Sequence, residues 1–350
     1  MKRLAILLLV VLTSVTLLGC NSSEFKVDGE FTAYELSVSS NRPVLTTVTV
    51  TIDKGSIVGY NIDVRQGYRN VSVADQGTED TSDDVSTYSF GWNEQTKKDL
   101  GLNYKMHYSS YKASLEDVNQ ASIEGYATWL EENNMLDWAG QASLIEAFWL
   151  ENGIDATETD EDGDFINVAS VSISDEGYSK LAKEAVELAR NGEFQAVLCD
   201  GTDLYIATMN VSEKGVVSNL MIDVQQATKS TTEGTFAWKE HTKQDLRYSY
   251  KMHYTTYTSS LEDPNTASIE GYEAWLHNTY NLEWFEQVGL ICDYIMEHGW
   301  NPSLQSVDGD GVSLDGVSVI DSVSSVSIST DEYFKVLGYL FDRVASGEIK

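Results

Sequence analysis

Forty-nine consecutive residues of this chain occur twice. Phe90 to Trp138 aligns without a gap to Phe236 to Trp284, at an offset of 146, with 28 of the 49 positions identical. Trp92-Asn93-Glu94-Gln95-Thr96-Lys97-Lys98-Asp99-Leu100 returns as Trp238-Lys239-Glu240-His241-Thr242-Lys243-Gln244-Asp245-Leu246. Tyr104-Lys105-Met106-His107-Tyr108 returns as Tyr250-Lys251-Met252-His253-Tyr254. A repeat this long is a duplicated domain and not a short solenoid unit. The 350 residues must therefore build one fold twice.

Offsets outside this block locate the length changes. Lys54-Gly55 and Ile62-Asp63-Val64 match Lys214-Gly215 and Ile222-Asp223-Val224 at an offset of 160, so copy one carries 14 extra residues, around Gly67 to Val85. That stretch is rich in Asp, Ser, Thr and Gly and is expected to be an exposed loop. Val168 to Ser174 matches Val323 to Ser329 at 155, which puts nine extra residues in copy two, near Asp308 to Asp315. These offsets place the domains at 28–192 and 200–347, joined through Phe194 to Cys199.

Each copy reads as α+β. Val44 to Ile52 alternates Val and Thr, Lys54-Gly55 turns, and Ile57 to Val64 is apolar again, the pattern of an antiparallel hairpin. Its counterpart runs over Tyr205 to Val211 and Val216 to Val224. Ser122 is placed to cap a helix whose Ile123, Tyr126, Ala127 and Leu130 share one face. A second helix is expected from Leu136 to Asn152, stopped by Gly153. A Ser-rich strand follows, and then a helix ending at Asn191-Gly192. The copy-two counterpart of that last helix spans Tyr333 to Ala345.

Residues 1–19 read as an address and not as fold. Lys2 and Arg3 precede an apolar run, Leu4 to Leu12, too short to span a bilayer. Leu17-Leu18-Gly19-Cys20 resembles the lipobox of bacterial lipoproteins. The resemblance implies cleavage before Cys20, a lipid on its sulfur, a tether over 20–27, and a place at the cell surface or the outer face of the cytoplasmic membrane. Two or three acyl chains hold a protein stably at a bilayer, whereas one is marginal.

The chain has 55 acidic and 23 basic side chains, for a net charge of −32. Such a balance excludes nucleic acid as a partner, because a phosphate backbone needs clustered Lys and Arg. It also leaves anchoring to the lipid, since an acidic surface has no grip on anionic headgroups.

One further segment carries a family likeness. Asp321-Ser322-Val323-Ser324-Ser325-Val326-Ser327-Ile328-Ser329 resembles a degraded Asp-x-Val-Ser-Gly-Ala-Thr-x-Ser/Thr signature of FMN-binding domains. Asp28-Gly29-x-Phe31 and the run from Trp92 to Met106 are similar to the same family, including tandem flavinylated lipoproteins of extracellular electron transfer and a subunit of sodium-pumping quinone reductases. The likeness implies two FMN-binding-like domains. It also implies FMN held by a phosphodiester that a separate flavin transferase installs, and a redox partner in or outside the membrane.

Carried over position by position, the acceptor is Ser327 in copy two and Ser172 in copy one. Ser324 and Asp321 take the motif Ser and Asp, and Ser325 and Ser170 stand where the motif has Gly. In copy one, Ile166 and Ala169 replace the Asp and Ser. A Gly there gives close approach or positive φ, both harder for Ser. The residues themselves allow a plain half-buried strand with its Ser facing water.

Two functions follow from these features. One is an FMN-bearing electron carrier, in which the cofactor does the redox work. The other is a binding or structural lipoprotein that kept the fold and lost the flavin. No Ser-His-Asp set, paired carboxylates or phosphate-cradling Gly loop stands out, so a carrier or binding protein ranks ahead of an enzyme with its own substrate. His107 and His253 sit in a segment read as a strand, and Lys105 and Lys251 beside them read as surface cations. The acidic stretches Asp160 to Asp164 and Asp308 to Gly311 lack a full calcium-ligand set and read as solvated turns. Cys199 and Cys292 fit either a disulfide or buried thiols.

Overall fold

The computed structural model describes residues 24–74, 84–302 and 326–350. Copy one opens with an antiparallel meander of four strands, β1 (Gly29–Ser39), β2 (Arg42–Asp53), β3 (Ser56–Ala74) and β4 (Val85–Trp92). Helices follow: α1 (Lys97–Leu100), α2 (Tyr108–Ser114), α3 (Ile123–Glu132), α4 (Trp138–Asn152) and α5 (Tyr178–Asn191). Copy two repeats the order with β5 (Glu193–Asp200), β6 (Asp203–Val211), β7 (Val217–Gln225), β8 (Ala227–Ser230) and β9 (Thr235–Trp238). Its helices are α6 (Lys243–Leu246), α7 (Tyr254–Ser259), α8 (Ile269–Thr279), α9 (Trp284–His298) and α10 (Asp331–Asp342). The architecture is α+β, with antiparallel sheets packed against helices.

The alternation of β2 buries Val48, Val50 and Ile52 while its tip turns at Lys54-Gly55, both with positive φ. Asp28 fixes that tip: its carboxylate accepts from Lys54 N (2.6 Å) and Gly55 N (2.9 Å). Ser122 Oγ caps α3 by accepting from Gly125 N at 3.0 Å, and Ser268 does the same for α8. Gly153 and Gly299 end α4 and α9 with φ of +83° and +84°. Helices α4 and α5 lie on β3 and on β1–β2, and α9 and α10 lie on β7 and on β5–β6.

Five expectations change. The stretch Gly67 to Val85 is not all loop: β3 runs on to Ala74 and pairs with β4, because Tyr68, Val71 and Val73 suit a pleated surface. Residues 75–83 of that stretch lie outside the described ones. The join at Phe194 to Cys199 is a strand, β5, so copy two begins directly where α5 ends. The signal was there, because Asn191-Gly192-Glu193-Phe194-Gln195-Ala196 repeats Asp28-Gly29-Glu30-Phe31-Thr32-Ala33. The Lys-Met-His-Tyr segment is a turn leading into a helix and not a strand. Lys105 and Lys251 adopt left-handed φ (+60° and +65°), which breaks extended pairing. The Ser-rich strand of copy one is a loop, described with the site below. Finally, α10 ends at Asp342, short of Ala345, because Arg343 to Ala345 turns to meet the start of β1.

The two copies share one core. Phe31 and Phe194 are both fully buried and their rings lie 4.2 Å apart. Gln195 Nε2 donates to Thr32 O at 2.6 Å across the same seam. Trp92 stacks on Trp238 at 5.9 Å, and their indole nitrogens cross-donate, Trp92 to Asp203 O (3.2 Å) and Trp238 to Ser37 O (3.1 Å).

Candidate functional site

The repeated sequence block assembles around the first turns of α4 and α9. Thr96 and Thr242 start α1 and α6 with capping boxes closed by Asp99 and Asp245. This places Lys97 and Lys243 at the first helical position, 8% and 9% exposed. Lys97 Nζ lies 5.0 Å from the Tyr104 ring and 4.9 Å from Trp138; Lys243 Nζ lies 4.8 Å from Tyr250 and 5.0 Å from Trp284. Burial lowers both ammonium groups below the ordinary lysine value, Lys243 to about 8. The rings partly offset that cost through cation–π attraction. Trp284 Nε1 donates to Tyr333 OH at 2.8 Å and closes the box in copy two; Tyr178 is the buried counterpart of Tyr333 in copy one.

A carboxylate hub lies beneath each box. Asp137 accepts from Trp138 N (2.6 Å), Met106 N (3.3 Å) and Tyr126 OH (2.8 Å), and Tyr126 OH accepts from His107 N (3.0 Å). Copy two replaces Asp137 with Glu283 and keeps every link, through Trp284, Met252, Tyr272 and His253. Much of the repeated Tyr-Lys-Met-His-Tyr sequence is therefore used in holding these helices together. His107 Nε2 is buried without a hydrogen-bond partner.

One turn further along α4, Gln141 is 2% exposed. Its Oε1 accepts from Ser172 N (2.6 Å), Ile173 N (3.1 Å) and Ser172 Oγ (3.3 Å), while its Nε2 donates to Leu136 O (2.9 Å). In copy two Gln287 Oε1 accepts from Ser327 N (2.8 Å) and Ser327 Oγ (3.4 Å), and its Nε2 donates to Leu282 O (3.0 Å). Two equivalent loops are thus clamped by two equivalent buried glutamines, and Ser172 and Ser327 stay exposed to solvent.

Residues 168–172 form a turn and loop and not a strand. Ser170 stands at φ +64°, a left-handed conformation uncommon for non-glycine residues. It occupies the position at which the family signature carries Gly. Ser324, Ser325 and Asp321 lie outside the described residues, as does Cys20. Gln141 and Gln287 were not singled out from the sequence. Their signal was a polar residue repeated at offset 146 on an otherwise apolar helix face, three positions after each Trp.

The other candidates resolve simply. Cys199 and Cys292 are free thiols, each pushed up to about 12 by burial. Asp160 Oδ1 accepts from Asp162 N and Asp164 N, and Ser174 Oγ donates to Asp164, so that acidic loop ties itself to the end of the Ser segment. Asp308 to Gly311 lies outside the described residues. Among the described residues no three His, Cys, Asp or Glu side chains gather as metal ligands, and no helix is long and apolar enough to cross a membrane.

No family model matches the chain, and no curated protein or solved structure does.

Proposed function

We propose that this chain is a lipid-anchored extracytoplasmic carrier of FMN, held at the membrane by acyl chains on Cys20, with the flavin phosphate esterified to Ser327 and to Ser172. The observation that carries the reading is the repeated loop. In both copies an exposed Ser hydroxyl is presented by a loop whose backbone a buried Gln holds in place. A modifying transferase needs such a hydroxyl, accessible to it and fixed in position. Ser170 supports the reading further, since it supplies without glycine the left-handed turn that the signature's Gly would supply.

FMN, when bound, supplies the one- and two-electron chemistry that side chains lack. The chain's own part is to fix the acceptor loop through Gln141 and Gln287. The buried lysines Lys97 and Lys243, packed on Trp138 and Trp284 at the start of the helices that carry those glutamines, add positive charge to an otherwise acidic molecule.

A second reading, a binding or structural lipoprotein without flavin, draws on one observation. The Ser172 and Ile173 amides, which could have met a phosphate, already donate to Gln141. Co-expression with a flavin transferase followed by intact-mass measurement separates the two. The carrier reading expects two FMN-sized increments, one left in Ser172→Ala or Ser327→Ala, and none in the double variant. A wild-type mass without increment leaves the second reading.

A further inference from the structure

The duplication lets one copy serve as a control for the other, and beside the carboxylate hub they differ. In copy one Gly101 and Leu102, the face of α3 bearing Leu130, and the first turn of α4 enclose a mostly apolar cavity of about 340 Å³. Leu102, Met135, Leu136, Ala139 and Gly140 line it, and Leu102 is 38% exposed at its mouth. The equivalent positions in copy two are Tyr248, Asn281, Leu282, Phe285 and Glu286.

Three of these side chains, Tyr248, Phe285 and Glu286, are larger and pack against one another there. The Tyr248 ring meets the Phe285 ring edge-on at 5.1 Å, Tyr248 OH donates to Glu286 Oε1 at 3.0 Å, and the Arg247 guanidinium lies 4.3 Å above the Phe285 ring. Arg247 holds that place at φ +46°, ψ −127°, the backbone conformation of its counterpart Gly101 (φ +48°, ψ −127°) and one that only glycine adopts without strain. Copy two thus carries a strained residue as part of a plug, and copy one has the same backbone with the plug removed.

From this contrast we infer that copy one binds a monocyclic aromatic amine in this cavity. The ring takes the place that Phe285 fills in copy two, with Ala139 and Gly140 giving it room. The ammonium meets Glu131, which lines the cavity, lies exposed at its rim and has no ion-pair partner among the described residues. The lining holds two carboxylates, Glu131 and Asp137, and no Lys, Arg or His. Asp137 is already committed to Trp138, Met106 and Tyr126, so Glu131 is the recognising group. The net charge of −32 draws cations and repels anions at longer range. No residue of the Ser172 loop lines the cavity, and the inference stands whether or not flavin is carried.

The test is titration of the full chain with 2-phenylethylammonium, read by ligand-detected NMR and calorimetry, with phenylacetate as the charge-reversed probe. The expected result is saturable one-to-one binding, with phenylacetate weaker by about five-fold or more, the scale of one exposed ion pair. Ala139→Phe and Leu102→Tyr, each borrowed from copy two, should weaken the amine at least about ten-fold while circular dichroism stays unchanged. Either variant suffices if the other fails to fold. Absence of saturable binding, binding that survives both substitutions, or equal affinity for phenylacetate would overturn the inference.

Discussion

Gln141 Oε1 accepts hydrogen bonds from both Ser172 N and Ile173 N, so one side-chain oxygen sets the shape of the loop that carries the Ser172 hydroxyl. The same amide group reaches back to Leu136 O and ties that loop to the start of α4. Hydrogen-bonding capacity this deeply buried is costly to remove, because the orphaned partners keep their desolvation penalty.

Gln141→Leu keeps the volume and removes the clamp. It should destabilise the protein by about 1–3 kcal/mol, toward the low end because Ser172 can recruit water. The specific signature is faster amide hydrogen exchange at Ser172 and Ile173 with exchange in β2 unchanged. Protection at those two amides equal to wild type would show that the clamp does not hold the loop.

Lys243 gives the fold a pH dependence of known sign. Burial holds it at about 8 in the folded chain against an ordinary 10.5, so between those values the unfolded chain binds more protons and stability rises with pH. Below about pH 8 both states are charged and the penalty, about 3 kcal/mol at most, is fully present. Lys243→Met should therefore exceed wild type in stability at pH 7.5, and the gap should narrow by pH 9.5 in urea unfolding. Taking the difference cancels the opposing losses from Cys292 and the buried tyrosines, whose raised values act above pH 9. A gap constant with pH would contradict the assigned shift.

Phe194 belongs to copy two by sequence and to both copies by contact, with its ring on Phe31. Phe194→Ala should cost about 3–5 kcal/mol. Because the core is shared, calorimetry should record one transition for wild type and one, at lower temperature, for the variant. Two separate transitions in wild type would mean that the copies melt independently.

The proposed lipid anchor has its own check. Metabolic labelling with an acyl-chain analogue should mark the wild-type protein and leave Cys20→Ser unmarked; label retained in that variant would place the lipid elsewhere.

Much of the fold was legible because repetition amplified weak signals. The hairpin tips at Lys54-Gly55 and Lys214-Gly215, the Ser caps and the Gly stops were each found at the expected elements. What failed were segments in which a single backbone conformation overrides side-chain pattern. Lys105, Lys251 and Ser170 all adopt positive φ, which no alternation of Val and Ser reveals, and each turned an expected strand into a turn. The seam between copies was missed for another reason: the repeat of Asp28 to Ala33 at Asn191 to Ala196 has an offset of 163, different from those that set the boundaries, so Phe194 was left in the join. At the site, Ser172 and Ser327 were singled out from a motif, but the glutamines beneath them were not, since a lone Gln on a helix has no motif.

The last residues of α10 lead to the first residues of β1. Ala345 N donates to Asp28 O at 3.1 Å and Glu30 N to Arg343 O at 2.8 Å, where in copy one α5 runs through Gly192 straight into β5. The second junction thus repeats the first without a covalent bond, and the folded polypeptide is a ring cut once. A circular permutant opened at the Gly201–Thr202 turn, with its old ends joined by a short spacer, should reach the same fold. The position of the cut is then not dictated by the fold.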